Sequence, residues 1–354
     1  MRLPEMTHRE RIMAAIDHRP TDRVPTDYWG VGEITEKLMK HFGVNDYLGM
    51  IKALDIDAII MLDAPMTETG RSGAWNVERS PIAMPDGSVI YKTVEYPIGS
   101  FETIDEIEAN YAWPTTDMFD YSAIKSQCEM YRREGYALMG GFISLTLHYE
   151  SIRGTGQMLL DFASDEELTE YIFYKINEFA SAHARKILEA GEGLIDIAQV
   201  TDDFGSQLGL RMSPAMIERY LGAYYTANTA MVEQHGAKVF HHDDGAITGM
   251  IPWIIDKGCR ILNPLQWHLP GWDLNTLKQE HGSKLCFHGG IDNQDVLPFR
   301  GPEDVKAEVR ACMDALYADR TGYILAPCHN LQAITPVENI ITMYEYAKSY
   351  SETM

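Results

Sequence analysis

Two short runs in the second half of the chain carry side chains suited to metal binding or acid–base chemistry. The sequence HHDD occupies residues 241–244, and Cys328 and His329 are adjacent near the C-terminus. An imidazole and a carboxylate two residues apart can share one metal or form an oriented base. Thiolate and imidazole are preferred zinc ligands, although a lone cysteine can equally be a buried, unreactive thiol. We therefore predict metal ligation by His242, Asp244 and Cys328.

The choice among the residues of HHDD follows from strand geometry. Successive side chains of a strand alternate between its two faces, so His242 and Asp244 share one side while His241 and Asp243 share the other. Helix capping is the alternative interpretation, in which Asp243 or Asp244 caps a helix that begins near Thr248.

The elements that position these residues alternate regularly along the chain. Strands are predicted at Val24–Tyr28, Ala58–Asp63, Ala137–Ile143, Ile195–Val200, Lys238–His242, Arg260–Asn263, Lys284–Gly289 and Gly322–Ala326. Amphipathic helices are predicted at Ile34–Phe42, Asp165–Ala190, Pro214–Gln234, Thr248–Asp256 and Pro302–Asp319. This alternation is typical of parallel β-α-β units and predicts an α/β fold, a single (β/α)₈ barrel of the TIM type. An open doubly wound sheet would give a similar pattern.

One segment interrupts the alternation after the second predicted strand. Trp75–Ser80 and Val89–Tyr96, joined across Pro85-Asp86-Gly87, predict a β-hairpin within an insertion of about residues 71–100. The insertion could cover the site or form a subunit contact. Because no linker or repeat divides the chain, we expect residues 1–354 to form one domain.

Polar residues follow each predicted strand, which is where barrel enzymes carry their active sites. The expected catalytic residues are Asp63, Glu150, Asp203 and His329. The expected substrate-binding residues are Tyr28, Trp29, Tyr149, Gln207, His288 and Asp292. Glu150 could instead form a surface ion pair with Arg153, and the two glycines after His288 could form either an anion-binding loop or a tight corner.

Composition excludes several classes of partner. The 354 residues include 30 Lys and Arg against 52 Asp and Glu, a formal net charge of −22. Such a surface repels phosphate backbones and anionic membranes, so we expect neither nucleic acid nor membrane as a partner. Five widely spaced cysteines indicate a reducing compartment. With no signal peptide and no run of about 18 apolar residues, we expect a cytoplasmic protein.

Motifs distributed over nearly the whole chain carry a family resemblance. They are RER at 9–11, RPTDRVP at 19–25, DDFGSQ at 202–207, LNPLQ at 262–266, FHGGID at 287–292, ILAPCHN at 324–330 and TPVEN at 335–339. Together they resemble the uroporphyrinogen decarboxylase superfamily, which also contains the corrinoid-dependent methyltransferases. The resemblance implies a (β/α)₈ barrel.

The resemblance to the decarboxylases lacks one element. Those enzymes carry an arginine-rich R-x-x-R-Q-A-G-R-Y segment after the first strand, which grips the substrate's carboxylates. Here the corresponding residues 27–30 read DYWG, without an arginine. A substrate with many carboxylates would have no counter-charge, which argues against decarboxylation of a porphyrinogen.

The methyltransferase branch implies a zinc site. Its ligands are an H-x-C motif after the fifth strand and a cysteine after the eighth. Here His242-Asp243-Asp244 matches the first motif with aspartate in place of cysteine. Counting back from TPVEN, the second cysteine falls on His329, with Cys328 one residue earlier. This set has less sulfur than the family pattern and suits activation of an oxygen rather than a sulfur atom.

The resemblance therefore implies a methyltransferase that moves a methyl group from a small O- or N-methylated substrate to the cobalt of a separate corrinoid protein. Zinc, or the protonating pair Asp203 and His329, would assist the leaving atom, while Glu150 and Asp63 would position the substrate. The corrinoid protein would dock at the barrel mouth, and a homodimer is compatible with the sequence. The alternatives are a cofactor-independent decarboxylase, a lyase acting on a smaller carboxylated substrate, and a non-catalytic binding barrel.

Overall fold

A curled parallel sheet forms the centre of the protein. The computed structural model describes residues 3–83 and 89–354. In that part of the chain the strands are β1 (Ile59–Leu62), β2 (Glu78–Ala83), β3 (Val89–Glu95), β4 (Ala137–Ser144), β5 (Ile197–Thr201), β6 (Gly205–Ser206), β7 (Gly209–Leu210), β8 (Lys238–His242), β9 (Ile261–Asn263), β10 (Cys286–Ile291) and β11 (Tyr323–Pro327). The central sheet has the order β1-β4-β5-β8-β9-β10-β11, and all of its pairs are parallel.

The sheet closes into a barrel through residues 25–27, which lie between β11 and β1. On one side this segment exchanges two backbone hydrogen bonds of 2.9 Å with Leu325, and on the other it accepts the N–H of Ala58 at 3.0 Å. The predicted (β/α)₈ barrel is therefore confirmed, with residues 25–27 in the place of its first strand.

That first strand is shorter than predicted. We expected a strand over Val24–Tyr28, but the structure has a single parallel bridge there, at Thr26. Pro25 has no N–H to donate to a neighbouring strand. The carboxylate of Asp27, rather than a backbone carbonyl, accepts the N–H of Ile59 at 2.7 Å. A side-chain hydrogen bond thus replaces one of the backbone hydrogen bonds between this segment and β1.

Helices surround the sheet and connect its strands. They are α1 (His8–Ile16), α2 (Gly32–Phe42), α3 (Tyr47–Leu54), α4 (Ile104–Asn110), α5 (Ile124–Arg133), α6 (Leu145–Arg153), α7 (Thr155–Ser164), α8 (Glu166–Ala190), α9 (Pro214–Gln234), α10 (Ile251–Asp256), α11 (Leu274–His281), α12 (Val296–Phe299), α13 (Pro302–Leu316) and α14 (Val337–Ser351), with 3₁₀ turns at Thr116–Met118 and Thr248–Met250. Among the helices described, none combines the length and apolarity that a membrane crossing requires.

The hairpin that follows β1 is formed by β2 and β3, which pair antiparallel as predicted. Its first arm begins at Glu78 rather than Trp75, and the predicted turn at residues 85–87 lies outside the described residues. The ring of Trp75 packs on His148 and Phe179, with ring centroids 4.6 and 5.3 Å apart. The insertion thereby reaches the barrel.

The barrel interior is filled by side chains at one end. Inward-facing residues of the strands form a buried cluster together with α1: Ile12, Ala15, Ile16, Ile59, Ala137, Met139, Ile197, Phe240, Ile261, Cys286 and Ile324. The N–H of Arg9 donates to the carbonyl of Gly135, just before β4, at 2.7 Å. Because α1 closes the amino-terminal end of the barrel, the carboxyl ends of the strands are left to form a site.

Candidate active site

A cavity of about 530 Å³ opens at the carboxyl ends of the barrel strands. We call it the central cavity, and its lining consists of Tyr28, Trp29, Gly30, Tyr47, Ile59, Ile60, Met61, Tyr131, Phe142, Ser144, Leu147, Gln199, Thr201, Asp202, Asp203, His242, Asp244, His329 and Asn330. The described lining contains carboxylates and imidazoles but no lysine or arginine. It therefore offers no counter-charge to a substrate rich in carboxylates.

Strand alternation places HHDD as predicted. At the end of β8, His242 and Asp244 reach the central cavity, whereas His241 and Asp243 are fully buried behind it. The Asp243 carboxylate accepts the backbone N–H groups of Phe204 and Gly205 at 2.9 and 3.0 Å. Neither aspartate caps the turn at Thr248–Met250, so the capping interpretation is not realised.

His242, Asp244 and His329 converge in the central cavity. One donor atom from each lies within 4.8 Å of the other two. Oδ2 of Asp244 is 3.9 Å from Nε2 of His242 and 3.7 Å from Nε2 of His329. Two imidazoles and one carboxylate form a donor set that suits zinc and other divalent transition metals.

A buried hydrogen-bond chain fixes the proton of His242. The Nδ2 amide of Asn263 donates to Nδ1 of His288 at 2.8 Å, so Nε2–H of His288 donates to the Asp27 carboxylate at 2.9 Å. The Oδ1 atom of Asn263 accepts from Nδ1 of His242 at 2.5 Å. The proton of His242 is therefore on Nδ1, and its Nε2 lone pair is free to bind a metal.

Two of the three ligands fit a metal as they stand. Besides the lone pair of His242, Oδ1 of Asp244 is buried and has no hydrogen-bond partner among the described residues. Burial lowers the pKa of His329, which favours the neutral form that a metal requires. However, Nδ1 of His329 accepts the N–H of Asn330 at 2.7 Å, so its proton is on Nε2. For Nε2 of His329 to act as a ligand, Nδ1 must give up its hydrogen bond from Asn330 and carry the ring proton instead.

Cys328, predicted as a metal ligand, lies outside this group. Its side chain is 3% exposed, and its thiol donates to the carbonyl of Leu265 at 3.1 Å. Burial raises the pKa of the thiol, which disfavours the thiolate that a metal binds. His329 takes the place that we assigned to Cys328.

Three other predicted residues line the central cavity. Asp203 accepts the backbone N–H of Asp244 at 3.3 Å, and so supports the loop that carries that ligand. The Trp29 ring stacks on His242 with centroids 5.6 Å apart. Tyr28 is largely buried, and its hydroxyl lies 2.9 Å from that of Thr35. Trp29 is thus the aromatic wall next to the proposed ligand set.

Glu150 and Tyr149 belong to the scaffold rather than the central cavity. Glu150 pairs with Arg211 at 2.9 Å and not with Arg153, the partner that the surface interpretation named. Tyr149 is fully buried and donates its hydroxyl to Asp161 at 2.9 Å. Both residues come from α6, and neither lines the central cavity.

The remaining substrate-binding predictions also place residues outside the central cavity. Gln207 lies in the exposed turn between β6 and β7, and His288 is fully buried beneath the cavity. The Asp292 carboxylate accepts the N–H groups of residues 294–296, at 2.8 to 3.1 Å, and so holds the start of α12. These are structural roles of a kind that polar residues at strand ends often have.

Asp63 lies at a second opening, which we call the side pocket. Its volume is about 270 Å³, and its lining consists of Met61, Leu62, Asp63, Ala74, Trp75, Phe119, Met139, Gly140, Gly141, Phe142, His148, Phe179, Ala180, His183 and Gln199. Asp63 itself is 75% exposed and lies 3.2 Å from Nε2 of His183. It is separate from the His242 group.

Two residues outside the predicted set of site residues stand out. Asn263 pairs with His242 in the parallel register of β8 and β9, so its position at a strand end was a usable signal. Asp202 is buried and accepts hydrogen bonds from Ser144 and Thr146. Burial raises the pKa of Asp202 to about 7.

Comparisons with known proteins agree with this fold. No curated protein sequence matches the chain. A methyltransferase from Methanosarcina mazei superposes with a TM-score of 0.69 at 17% identity, covering 98% of this chain and 99% of that one. A B12-independent methionine synthase from Shewanella sp. W3-18-1 has a TM-score of 0.46 at 10% identity, covering 94% and 97%. The uroporphyrinogen decarboxylase (URO-D) family model matches residues 98–350, well over half of the chain, and the protein therefore belongs to that family.

Proposed function

We propose that this protein is a methyltransferase that moves a methyl group from a small O- or N-methylated substrate to the cobalt of a separate corrinoid protein. The observation that carries the proposal is the convergence of His242, Asp244 and His329 on one cavity at the barrel mouth. The fold that the chain shares with a Methanosarcina methyltransferase agrees with it.

The reaction defines what the site must do. The C–O or C–N bond of the donor breaks, and the methyl carbon bonds to cobalt(I), which supplies the electron pair. The pair of the broken bond stays on the oxygen or nitrogen, which then takes up a proton. The site therefore has to stabilise negative charge on the leaving atom and give the corrinoid access to the methyl group.

His242, Asp244 and His329 would hold a zinc ion, which would supply Lewis-acid chemistry at the leaving atom. Asn263 keeps Nε2 of His242 unprotonated and directed into the central cavity. Asp203 anchors the backbone of Asp244. These contacts preorganise the ligand set before the substrate binds.

The open rim of the central cavity suits a macromolecular partner. Met61, Phe142 and Leu147 line the cavity and are 61%, 36% and 42% exposed, respectively. Large apolar side chains exposed at the mouth of a site are typical of surfaces that another protein covers. They support docking of the corrinoid protein at this end of the barrel.

The decarboxylase alternative is less well supported. A carboxylated substrate needs a counter-charge, and the described lining of the central cavity supplies none. Asp203 and Asp244 add negative charge instead. The lining thus favours a neutral methyl donor over a carboxylate.

The proposal is tested by elemental analysis of the purified protein together with methyl transfer to free cob(I)alamin, followed by its absorbance change. We expect bound metal and methylcobalamin formation, both lost in His242→Ala with the circular dichroism spectrum retained. His281→Ala, in α11 away from the cavity, is the matched control and should keep both. A metal-free protein that releases CO₂ from a carboxylated substrate would overturn the proposal in favour of the lyase.

A further inference from the structure

The side pocket adjoins the central cavity, because Met61, Phe142 and Gln199 line both. We propose that the side pocket binds a neutral aromatic ring of the methyl donor, while the methylated oxygen or nitrogen lies in the central cavity. The substrate class is then methylated aromatic compounds. This inference rests on the proposed function only in identifying the ring as part of a methyl donor. Binding of the ring itself can be measured without any methyl transfer.

Four large aromatic side chains contribute to the wall of the side pocket: Trp75, Phe119, Phe142 and Phe179. Phe179 lies against Trp75 edge to face, with ring centroids 5.3 Å apart and an interplanar angle of 88°. Phe119 lies 5.9 Å from Phe179, and Phe142 borders the central cavity. Rings arranged at these angles offer both faces and edges to a planar guest, the geometry that aromatic pairs prefer.

The volume of the side pocket limits the size of the ligand that it can bind. An engineered apolar cavity of about 150 Å³ in another protein binds benzene. The side pocket, at about 270 Å³, therefore has room for one ring with a substituent and not for a porphyrinogen. A ring here would extend its substituent past Phe142 into the central cavity.

His148 supplies a polar contact to such a ring. Its imidazole lies 4.6 Å from the Trp75 ring and 5.8 Å from that of Phe142, and neither of its nitrogens has a hydrogen-bond partner among the described residues. Burial lowers the pKa of His148 to about 3, so the imidazole is neutral at physiological pH. It can donate or accept one hydrogen bond to a hydroxyl or ether group on the ring.

The charges around the side pocket favour a neutral guest. Asp63, the one acidic residue of its described lining, lies 3.2 Å from His183, whose other ring nitrogen lies 2.7 Å from the hydroxyl of Tyr121. The carboxylate is thus partnered and solvated, and the described lining has no lysine or arginine to hold an anion. A small quaternary ammonium bound here would keep its methyl groups away from His242.

The test is calorimetric binding of methoxybenzene and 2-methoxyphenol to the full chain. We expect binding to the wild-type protein, weakened about tenfold or more in Trp75→Leu. Because Trp75 is buried, Phe142→Ala provides a second variant at a partly exposed position and should weaken binding as well. His148→Phe should weaken 2-methoxyphenol more than methoxybenzene. Tyr91→Leu, at an exposed aromatic of the hairpin that follows Trp75, is the control and should bind as wild type.

The outcomes separate this inference from the proposed function. Unchanged binding in both Trp75→Leu and Phe142→Ala would overturn the ring pocket, as would tetramethylammonium binding more tightly than methoxybenzene. If rings bind as expected but no methyl group reaches cob(I)alamin from any donor, the ring pocket stands and the methyltransferase proposal fails. If tetramethylammonium donates its methyl group and no ring binds, the methyltransferase proposal stands and the ring pocket fails.

Discussion

Oδ1 of Asn263 lies 2.5 Å from Nδ1 of His242, at neighbouring positions of two parallel strands. The same asparagine donates to His288, which in turn donates to Asp27. One proposed metal ligand is therefore oriented by a chain of side chains that crosses the barrel. Such supporting contacts determine the tautomer and the direction of a metal-binding histidine.

Replacing Asn263 should weaken metal binding without removing a ligand. In Asn263→Ala we expect the zinc affinity to fall by about 10- to 100-fold, since His242 loses its orienting acceptor. Competition with a chromogenic chelator measures the change. Asn339→Ala is the control, because that buried amide bonds the carbonyls of Leu297 and Arg300 and should leave zinc affinity unchanged. Equal affinities in the two variants would contradict the orienting role.

Two variants test whether Cys328 or His329 is the third metal ligand. The thiol of Cys328 is buried on a backbone carbonyl, whereas His329 lies 3.7 Å from Asp244. We expect Cys328→Ala to retain the wild-type metal content by elemental analysis and His329→Ala to lose most of it. Metal lost from the cysteine variant and retained in the histidine variant would restore the ligand set that the sequence favours.

The periodic elements of the fold could be predicted from sequence. Pro214–Gln234 coincides with α9, whose start is marked by the Ser213 cap and by Pro214 at its first position. Lys238–His242 coincides with β8, a short strand with a buried centre. The limits of the first strand could not be predicted, because its backbone pairing is partly replaced by the bond from Ile59 to the Asp27 carboxylate, and Ile59 is 32 residues further along the chain.

The positions of candidate site residues could be predicted where strand alternation determines the direction of a side chain, but not where a loop determines it. Alternation separated His242 from His241, because adjacent side chains of a strand must face opposite ways. Asp292 and Gln207 also come after barrel strands, but the loops turn Asp292 toward a helix start and Gln207 toward solvent. Cys328 and His329 are adjacent, and a shift of one residue after a strand end reverses which one reaches the central cavity.

Tyr149 should matter for stability rather than for substrate. Its buried hydroxyl donates to Asp161, which also binds the guanidinium of Arg153 at 2.7 Å. Tyr149→Phe removes a hydrogen bond to a charged group, which should cost about 1.5–3 kcal/mol of unfolding free energy. Urea denaturation measures that loss, and the KM for the methyl donor should be unchanged. A raised KM with unaltered stability would return Tyr149 to the substrate site.

Asp202 should make the protein less stable as pH rises from about 4 to about 7. Burial raises its pKa to about 7 in the folded state, against about 3.9 in an unfolded chain. Between these values the folded protein holds a proton that the unfolded chain releases, so the stability present at low pH is lost as pH rises toward 7. At about 1.4 kcal/mol for each pKa unit, the change is roughly 4 kcal/mol.

Asp202→Asn removes this titration while keeping an oxygen that can accept from Ser144 and Thr146. We therefore expect the free energy of unfolding of the variant, relative to the wild type, to increase as pH rises from 4 to 7. Urea titrations of both proteins at several pH values measure the difference, which cancels the groups they share. A constant difference would show that Asp202 has an ordinary pKa in the folded protein, and hence that its carboxylate is charged beside the cavity at neutral pH.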